Sequence, residues 1–308
     1  MAEPHPITAH TPMDQTAPVL IGALADDLQQ THATLMTHPS DKALHDFRVA
    51  LRRCRAVLRE LRCVDDESWQ SLLQAARDIA QGTNLIRDVD VCRADLLQDN
   101  SAAACEPGRA LLRHLAARKA RAMQLARRHV HQVPTVLLQP LHQLARKKFT
   151  GPCAHKPFQD TATVIIKERA CELVQSGSKL KPRSSARKYH RVRIRAKRLR
   201  YTLEIFAPAL GNDIASPLLG SLRKLQNNLG ALQDLAVQAD LLQVFAKRHP
   251  GHENDAIHVF IKHRRQLLQQ RKLLLRQEFA ELFPAFATQI RSFPLLAQDK
   301  EEAERRSK

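Results

Sequence analysis

The chain has 308 residues, enough for one large or two ordinary domains, and a hydrophobic content of 44% suits a buried core. Aromatic residues at 4% and only nine glycines argue against an all-β fold. A net charge of +18 narrows the partners to polyanions: nucleic acid, an anionic membrane surface or a polyphosphorylated ligand.

Residues 1–17, rich in Pro, Thr and His, read as a disordered tail with neither the basic start nor the apolar stretch of a signal peptide. A first helix is predicted from Val19 to Thr37. Ser40-Asp41 caps a second that runs to about Arg62. A third spans Asp66 to about Gln98 with an interruption near Gly82, and a fourth runs from Glu106 to about Gln132. Pro134 and Pro140 bracket a short fifth segment. The Gly- and Pro-containing stretch at 151–158 is a break, after which the order restarts. There follow a helix near Phe158–Gln175, a polar linker, a basic helix over 187–207, a long helix after Pro217 and another after His252. Residues 297–308 read as a second disordered tail. No apolar run approaches 18 residues, so no spanning helix is expected. The six cysteines (54, 63, 92, 105, 153 and 171) form no C-x-x-C pair and no zinc-like spacing. Cys54 and Cys171 fit apolar helix positions, so buried reduced thiols in a reducing cytoplasm are the expectation.

The charge is concentrated in a pattern that occurs twice. His45, Arg48, Arg52, Arg53, Arg55 and Arg59 are matched by His190, Arg193, Lys197, Arg198, Arg200 and Glu204, 145 residues later. Further features recur at an offset of 146: Asp88 with Asp234, Arg77 with Arg223, Arg118 with Arg264, and Lys119 with Arg265. Repetition at one offset indicates an internal duplication, with halves at 18–150 and 151–296. Two such halves commonly meet about a pseudo-twofold axis, which sets the basic helices face to face.

On a helical wheel at about 100° per residue, His45, Arg48, Arg52, Arg55 and Arg59 share roughly 80° of arc. Leu44, Phe47, Leu51, Cys54, Leu58 and Leu61 fill the neighbouring arc, so the cations border the core. Val192, Ala196, Leu199, Leu203 and Phe206 do the same beside His190, Arg193, Lys197 and Arg200. Like charges at i,i+4 repel, and an ordinary solvated helix relieves this with glutamates. Here the stretch from Leu173 to Leu203 carries eleven Lys or Arg and no carboxylate. The first row extends about 21 Å at 1.5 Å per residue, long enough for several phosphates, and the arginine fork suits phosphate oxygens. The matching places of His45 and His190 make them candidate donors to an anionic oxygen, favoured as imidazolium. Arg53 and Arg198 sit off the stripe, as rim or structural residues. Arg118, Lys119, Arg264, Arg265, Arg77, Arg223 and Lys224 are weaker additions to the site. Arg87, Asp88, Asp90 and Asp234 read as an inter-helix pairing set outside the rows.

The segments HDFRVALRRCRAVLREL with NLIRDVDV, and HRVRIRAKRLRYTLEIF with LGALQDLAV, resemble the CHAD (conserved histidine α-helical domain) family over residues 18–296. The resemblance implies an all-α fold of two four-helix bundles with pseudo-twofold symmetry and a basic central surface that binds inorganic polyphosphate. His45, Arg48, Arg52, Arg55, His190, Arg193, Lys197 and Arg200 would line that surface. Glu204 opposite Arg59 departs from the pattern and is left out of the site. The resemblance further implies association with polyphosphate granules. Some family members carry a CYTH triphosphatase domain with a Glu-x-Glu-x-Lys strand, which is absent here, so a stand-alone, non-enzymatic binding module with no cofactor or metal is expected. Two other readings remain at this stage. A nucleic-acid binder suits the charge, although aromatics for stacking are few (Trp69, Tyr189, Tyr201 and ten Phe). A metal-dependent phosphohydrolase would need carboxylates among the basic rows.

Overall fold

The computed structural model describes residues 7–61, 67–210, 212–250 and 255–293, and every regular element among them is helical. In chain order these are α1 (Met13–Thr37), α2 (Asp41–Glu60), α3 (Glu67–Gln98), α4 (Asn100–Ala104), α5 (Glu106–His131), a π-helical turn (Pro134–Leu138), α6 (Gln139–Leu144), α7 (Phe158–Gly177), α8 (Ala186–Leu210), α9 (Asn212–Lys247) and α10 (Ala256–Arg291). Among the described residues no helix is long and apolar enough to cross a membrane.

Ser40 caps α2 as its sequence predicts, its hydroxyl accepting from the Ala43 N–H at 3.0 Å. Other boundaries move for identifiable reasons. Residues 13–17 belong to α1 and not to a tail, because Met13 and Ala17 are fully buried. The segment is also hydrogen-bonded to the loop before α7: Met13 N–H donates to Lys156 O at 3.0 Å, and Phe158 N–H to Thr11 O at 2.9 Å. Residues 1–6 and 297–308, the remainder of the expected tails, lie outside the described residues. Helix α3 runs through Gly82 without interruption. That glycine serves a close approach, since a Cβ there would come within 2.5 Å of the His129 ring on α5. Helix α9 begins at Asn212 and includes Pro217. Cys54 and Cys92 are buried and free, as expected, but Cys171 is exposed because α7 turns it away from the core; Cys63 lies outside the described residues.

The apolar arcs of the two basic helices are buried as the wheel requires. Phe47, Leu51, Cys54, Leu58 and Leu61 of the first, and Ala196, Leu199, Leu203 and Phe206 of the second, have no exposed surface. At roughly 1.5–3 kcal/mol for each large apolar side chain, this outweighs the few tenths of a kcal/mol lost per like-charged i,i+4 pair. The main core runs from α1 and α2 through the first half of α3 to α7, α8 and the end of α10. A second core joins the end of α3 and the start of α5 to the end of α9 and the start of α10. Both cores therefore draw on residues from each side of position 150.

Helix α2 packs against α8, and α3 against α9. One buried carboxylate fastens the first of these contacts. Glu60, with 1% of its side chain exposed, accepts from Arg169 Nε of α7 at 2.9 Å and from Arg198 Nε of α8 at 2.7 Å. Glu172 closes the cluster, accepting from Arg169 at 2.8 Å and standing 3.7 Å from Arg198. Replacing Glu60 by Ala would leave Arg169 paired with Glu172 but remove the acceptor of two buried Nε–H groups, those of Arg169 and Arg198, so Glu60→Ala is expected to cost about 2–3 kcal/mol by urea denaturation. Glu60→Leu with Arg169→Met, which removes both buried charges together, is expected to recover most of that loss.

Candidate functional site

The contact between α2 and α8 sets two cationic rows against each other. Lys197 and Arg193 both lie within electrostatic reach of Arg52, Arg59 within reach of Arg198, and Arg55 within reach of Tyr201. These groups are half-buried, where charge is poorly solvated. Burial first, then Arg193, Arg52 and Arg200, push the Lys197 ammonium down to about 7, against the pull of Asp234. Burial, then Arg52 and Arg87, push Arg48 down to about 10 against Asp88. Arg55, Arg59 and Arg193 are lowered too, each chiefly by burial. The Nε–H groups of Arg52, Arg55, Arg193 and Arg200 are buried and meet no hydrogen-bond acceptor. Glu204 stands 3.7 Å from Arg200 Nε, beyond a hydrogen bond. An acceptor-rich anion is the complement of such a surface.

Several row residues are held in place by neutral partners that leave their charge intact. Arg48 donates to the Thr83 hydroxyl and, at 3.1 Å, to Asn84 Oδ1, both on α3. His190 Nδ1 donates to Gln233 Oε1 of α9 at 2.6 Å, which leaves Nε2 as its second donor when the ring is protonated. His45 is exposed at the start of α2. Arg200 lies over the Tyr201 ring, 4.8 Å from its centroid. Gln233 adjoins Asp234 in the repeated LGALQDLAV segment, so its position was visible in the sequence while its role was not.

The acidic residues divide differently from the sequence-based expectation. Asp90 does pair between helices, at 2.8 Å from Lys119 of α5. Asp88 and Asp234, expected outside the rows, adjoin them: Asp88 is influenced by Arg48, Arg87, Asp234 and Arg193, and Asp234 influences both Arg193 and Lys197. Burial raises the Asp88 carboxyl foremost, with Arg48 and Arg87 pulling it down. Arg87, read as a structural partner, is exposed and close enough to act on Arg48 and Arg193, so it joins the cationic surface.

The weaker candidates separate by their partners. Lys119, 13% exposed, is held by Asp41 at 2.7 Å as well as by Asp90. Arg264, 6% exposed, is held by Asp95 at 2.8 Å and Asp99 at 2.6 Å. These are cross-braces whose charge is already compensated, as is Arg198 through Glu60, so all three leave the candidate site. Arg53 stands 3.7 Å from Asp27 on the exposed side of α2. Arg77 is exposed but influences Arg55 and Arg59, which extends the first row onto α3. Arg223, Lys224 and Arg265 are exposed, and Arg118 is half-buried with an unpaired Nε–H; nothing ties these four to the rows. Trp69 is buried against Phe149, and Tyr189 against Phe279, so neither offers a face for base stacking. Among the described residues no group of three or more His, Cys, Asp or Glu side chains is placed to hold a metal ion.

The family model of the CHAD domain matches residues 20–243. The fold is similar to the crystal structure of the CHAD domain from the plant Ricinus communis, with a TM-score of 0.70 at 21% identity over 91% of this chain and 95% of that one. It is also similar to PptA from Streptomyces chartreusis, with a TM-score of 0.69 at 16% identity over 89% of this chain and all of that one. No functionally curated protein matches the chain.

The depressed Lys197 ammonium has a consequence for stability. Between pH 7 and its ordinary value of 10.5 the unfolded chain holds that proton and the folded chain does not, so Lys197 makes folding more favourable as pH rises through this window. The buried thiols of Cys54 and Cys92, pushed up to about 12, act in the opposite direction only above about pH 9, where an unfolded thiol ionises. Lys197→Met is therefore expected to raise the melting temperature at pH 7 and to reduce its increase between pH 7 and 9, measured by differential scanning calorimetry.

Proposed function

The chain belongs to the CHAD family, and on that premise we propose that it binds inorganic polyphosphate along the surface where α2 faces α8. One observation carries the reading: two half-buried cationic rows oppose each other with four arginine Nε–H groups lacking an acceptor. A chain of phosphates supplies closely spaced oxygens along a line, which matches a surface about 21 Å long at 1.5 Å per residue. His45, Arg48, Arg52, Arg55, Arg59, His190, Arg193, Lys197 and Arg200 form the core of the site, with Arg77 and Arg87 beside them. Binding displaces the counterions of the polyphosphate, so affinity falls with salt, by analogy with DNA.

In this reading the chain is an internally duplicated pair of helical halves related by a pseudo-twofold axis, each contributing one row. The packing of α2 on α8 and of α3 on α9, elements that match at the repeat offset, supports it. The protein binds without chemistry of its own: Asp88 and Asp234 are embedded among Arg48, Arg87 and Arg193, where they set the row's local charge. A protein with this surface would partition onto polyphosphate granules in the cytoplasm.

Arg52→Glu with Lys197→Glu is expected to abolish binding of long-chain polyphosphate while leaving helicity by circular dichroism intact; unchanged affinity would sink the site. Displacement of polyphosphate by duplex DNA at equal phosphate concentration would point instead to a nucleic-acid binder. Phosphate release with Mg²⁺ or Mn²⁺, lost on replacing Asp88 and Asp234 by Asn, would identify a hydrolase.

Lys197 adds a pH signature. A bound polyanion restores its proton, so binding takes up protons and weakens as pH rises from 7 towards 9. Calorimetric titration in buffers of different ionisation enthalpy measures that uptake. Lys197→Arg, charged throughout, is expected to bind with much less dependence on pH over this range.

A further inference from the structure

Helix α8 carries cations on two opposite sides. Against α2 it presents His190, Arg193, Lys197 and Arg200; on the wheel, Lys188, Arg191 and Arg195 fall roughly 170° away. There, α7, the linker and α8 enclose a concavity of ≈290 Å³ whose polar lining includes Gln175, Ser176, Lys179, Lys188, Arg191 and Arg195. Its apolar floor is formed by Leu180 and the buried Val192.

Two properties distinguish this hollow from an ordinary basic surface. First, its four cations converge on one concavity whose lining holds no carboxylate, and none has an ion-pair partner among the described residues, unlike Lys42, Arg109, Arg113 and Arg271, whose charges are met by Asp46, Glu106 and Asp95. The nearest carboxylate along α7, Glu172, is engaged one turn further along by Arg169 and Arg198. Second, the linker that carries Lys179 is fixed. Arg276 of α10 donates to Pro182 O and Ser184 O, each at 2.9 Å, and the Tyr189 hydroxyl donates to Lys181 O at 3.2 Å. Gly177, at the end of α7, is pressed against Phe283 so closely that a Cβ would lie 2.0 Å from the ring. The backbone of the rim is therefore set before any ligand arrives, which confines the ordering cost to the cationic side chains.

We propose that this hollow is a second anion site, separate from the α2–α8 surface, that takes a short run of phosphate-type oxyanions. Its volume lies at the low end of small-ligand pockets, which suits two or three linked phosphates and not an extended chain. The phosphates come either from a separate oligophosphate or from the end of a long chain that also occupies the central rows.

Inorganic tripolyphosphate, titrated calorimetrically, is the probe. The wild-type chain is expected to bind it at two classes of site. Lys188→Glu with Arg191→Glu is expected to weaken one class by about tenfold or more and leave the other in place. Arg52→Glu with Lys197→Glu is expected to do the reverse. Arg127→Glu with Arg128→Glu, exposed on α5, controls for net charge, and circular dichroism for folding. If Lys188→Glu with Arg191→Glu lowers affinity no more than that control, or leaves the number of sites unchanged, the second site is refuted and the central reading stands. If only Arg52→Glu with Lys197→Glu is silent, the central reading fails and the second site stands. A tripolyphosphate equivalent still bound after saturation with long-chain polyphosphate identifies a separate ligand, and its exclusion identifies the same chain.

Discussion

Glu60 sits where two mutually repelling helices have to be joined. Its carboxylate is nearly inaccessible, yet it holds one arginine from α7 and one from α8, and so fixes how α2 lies along α8. A buried ion pair of this kind adds little net stability compared with apolar packing, because desolvation offsets most of the attraction. What it supplies is position. The apolar arcs of α2 and α8 provide the free energy, while Glu60 accepts from Arg198 and compensates its charge beside Arg59. Arg193 and Lys197 of α8 are left facing Arg52.

The cost of that arrangement appears in the side chains that bear it. Lys197 is pushed down to about 7 and Arg48 to about 10, because burial and the neighbouring cations outweigh the pull of Asp234 on the one and Asp88 on the other. Neutral partners orient the row without cancelling it: Thr83 and Asn84 for Arg48, Gln233 for His190. The two rows are unequal in detail. Arg59 corresponds to Glu204, and Gln233 holds His190 while His45 is exposed. Asp88 and Asp234 adjoin the rows and moderate their charge. The surface thus concentrates like charge in the free protein, which the proposed polyanion would offset.

Much of the fold was legible before any coordinates. The all-helical class, the Ser40 cap, and the buried faces of α2 and α8 follow from spacing alone, because a helix repeats every 3.6 residues and its apolar arc must find a core. Misreadings arose where a residue's role depends on a neighbour far away in sequence. Gly82 looks like a break but accommodates the His129 ring of α5. Residues 13–17 look like a tail until Lys156 and Ala154 supply hydrogen-bond acceptors for their N–H groups. Cys171 fits an apolar position on the wheel, yet α7 turns it to solvent.

The same division holds for the site. Sequence alone determined which cations exist in excess, their stripe on each helix and the recurrence of that stripe, since these depend only on local periodicity and composition. Which of them remain uncompensated was decided by the tertiary structure. Lys119, Arg264 and Arg198 resemble their neighbours in the sequence but are neutralised by carboxylates from other helices, whereas Arg87 turns towards the rows. Pairing between charges depends on a few ångströms of separation across helices, and helical periodicity carries no information about that distance.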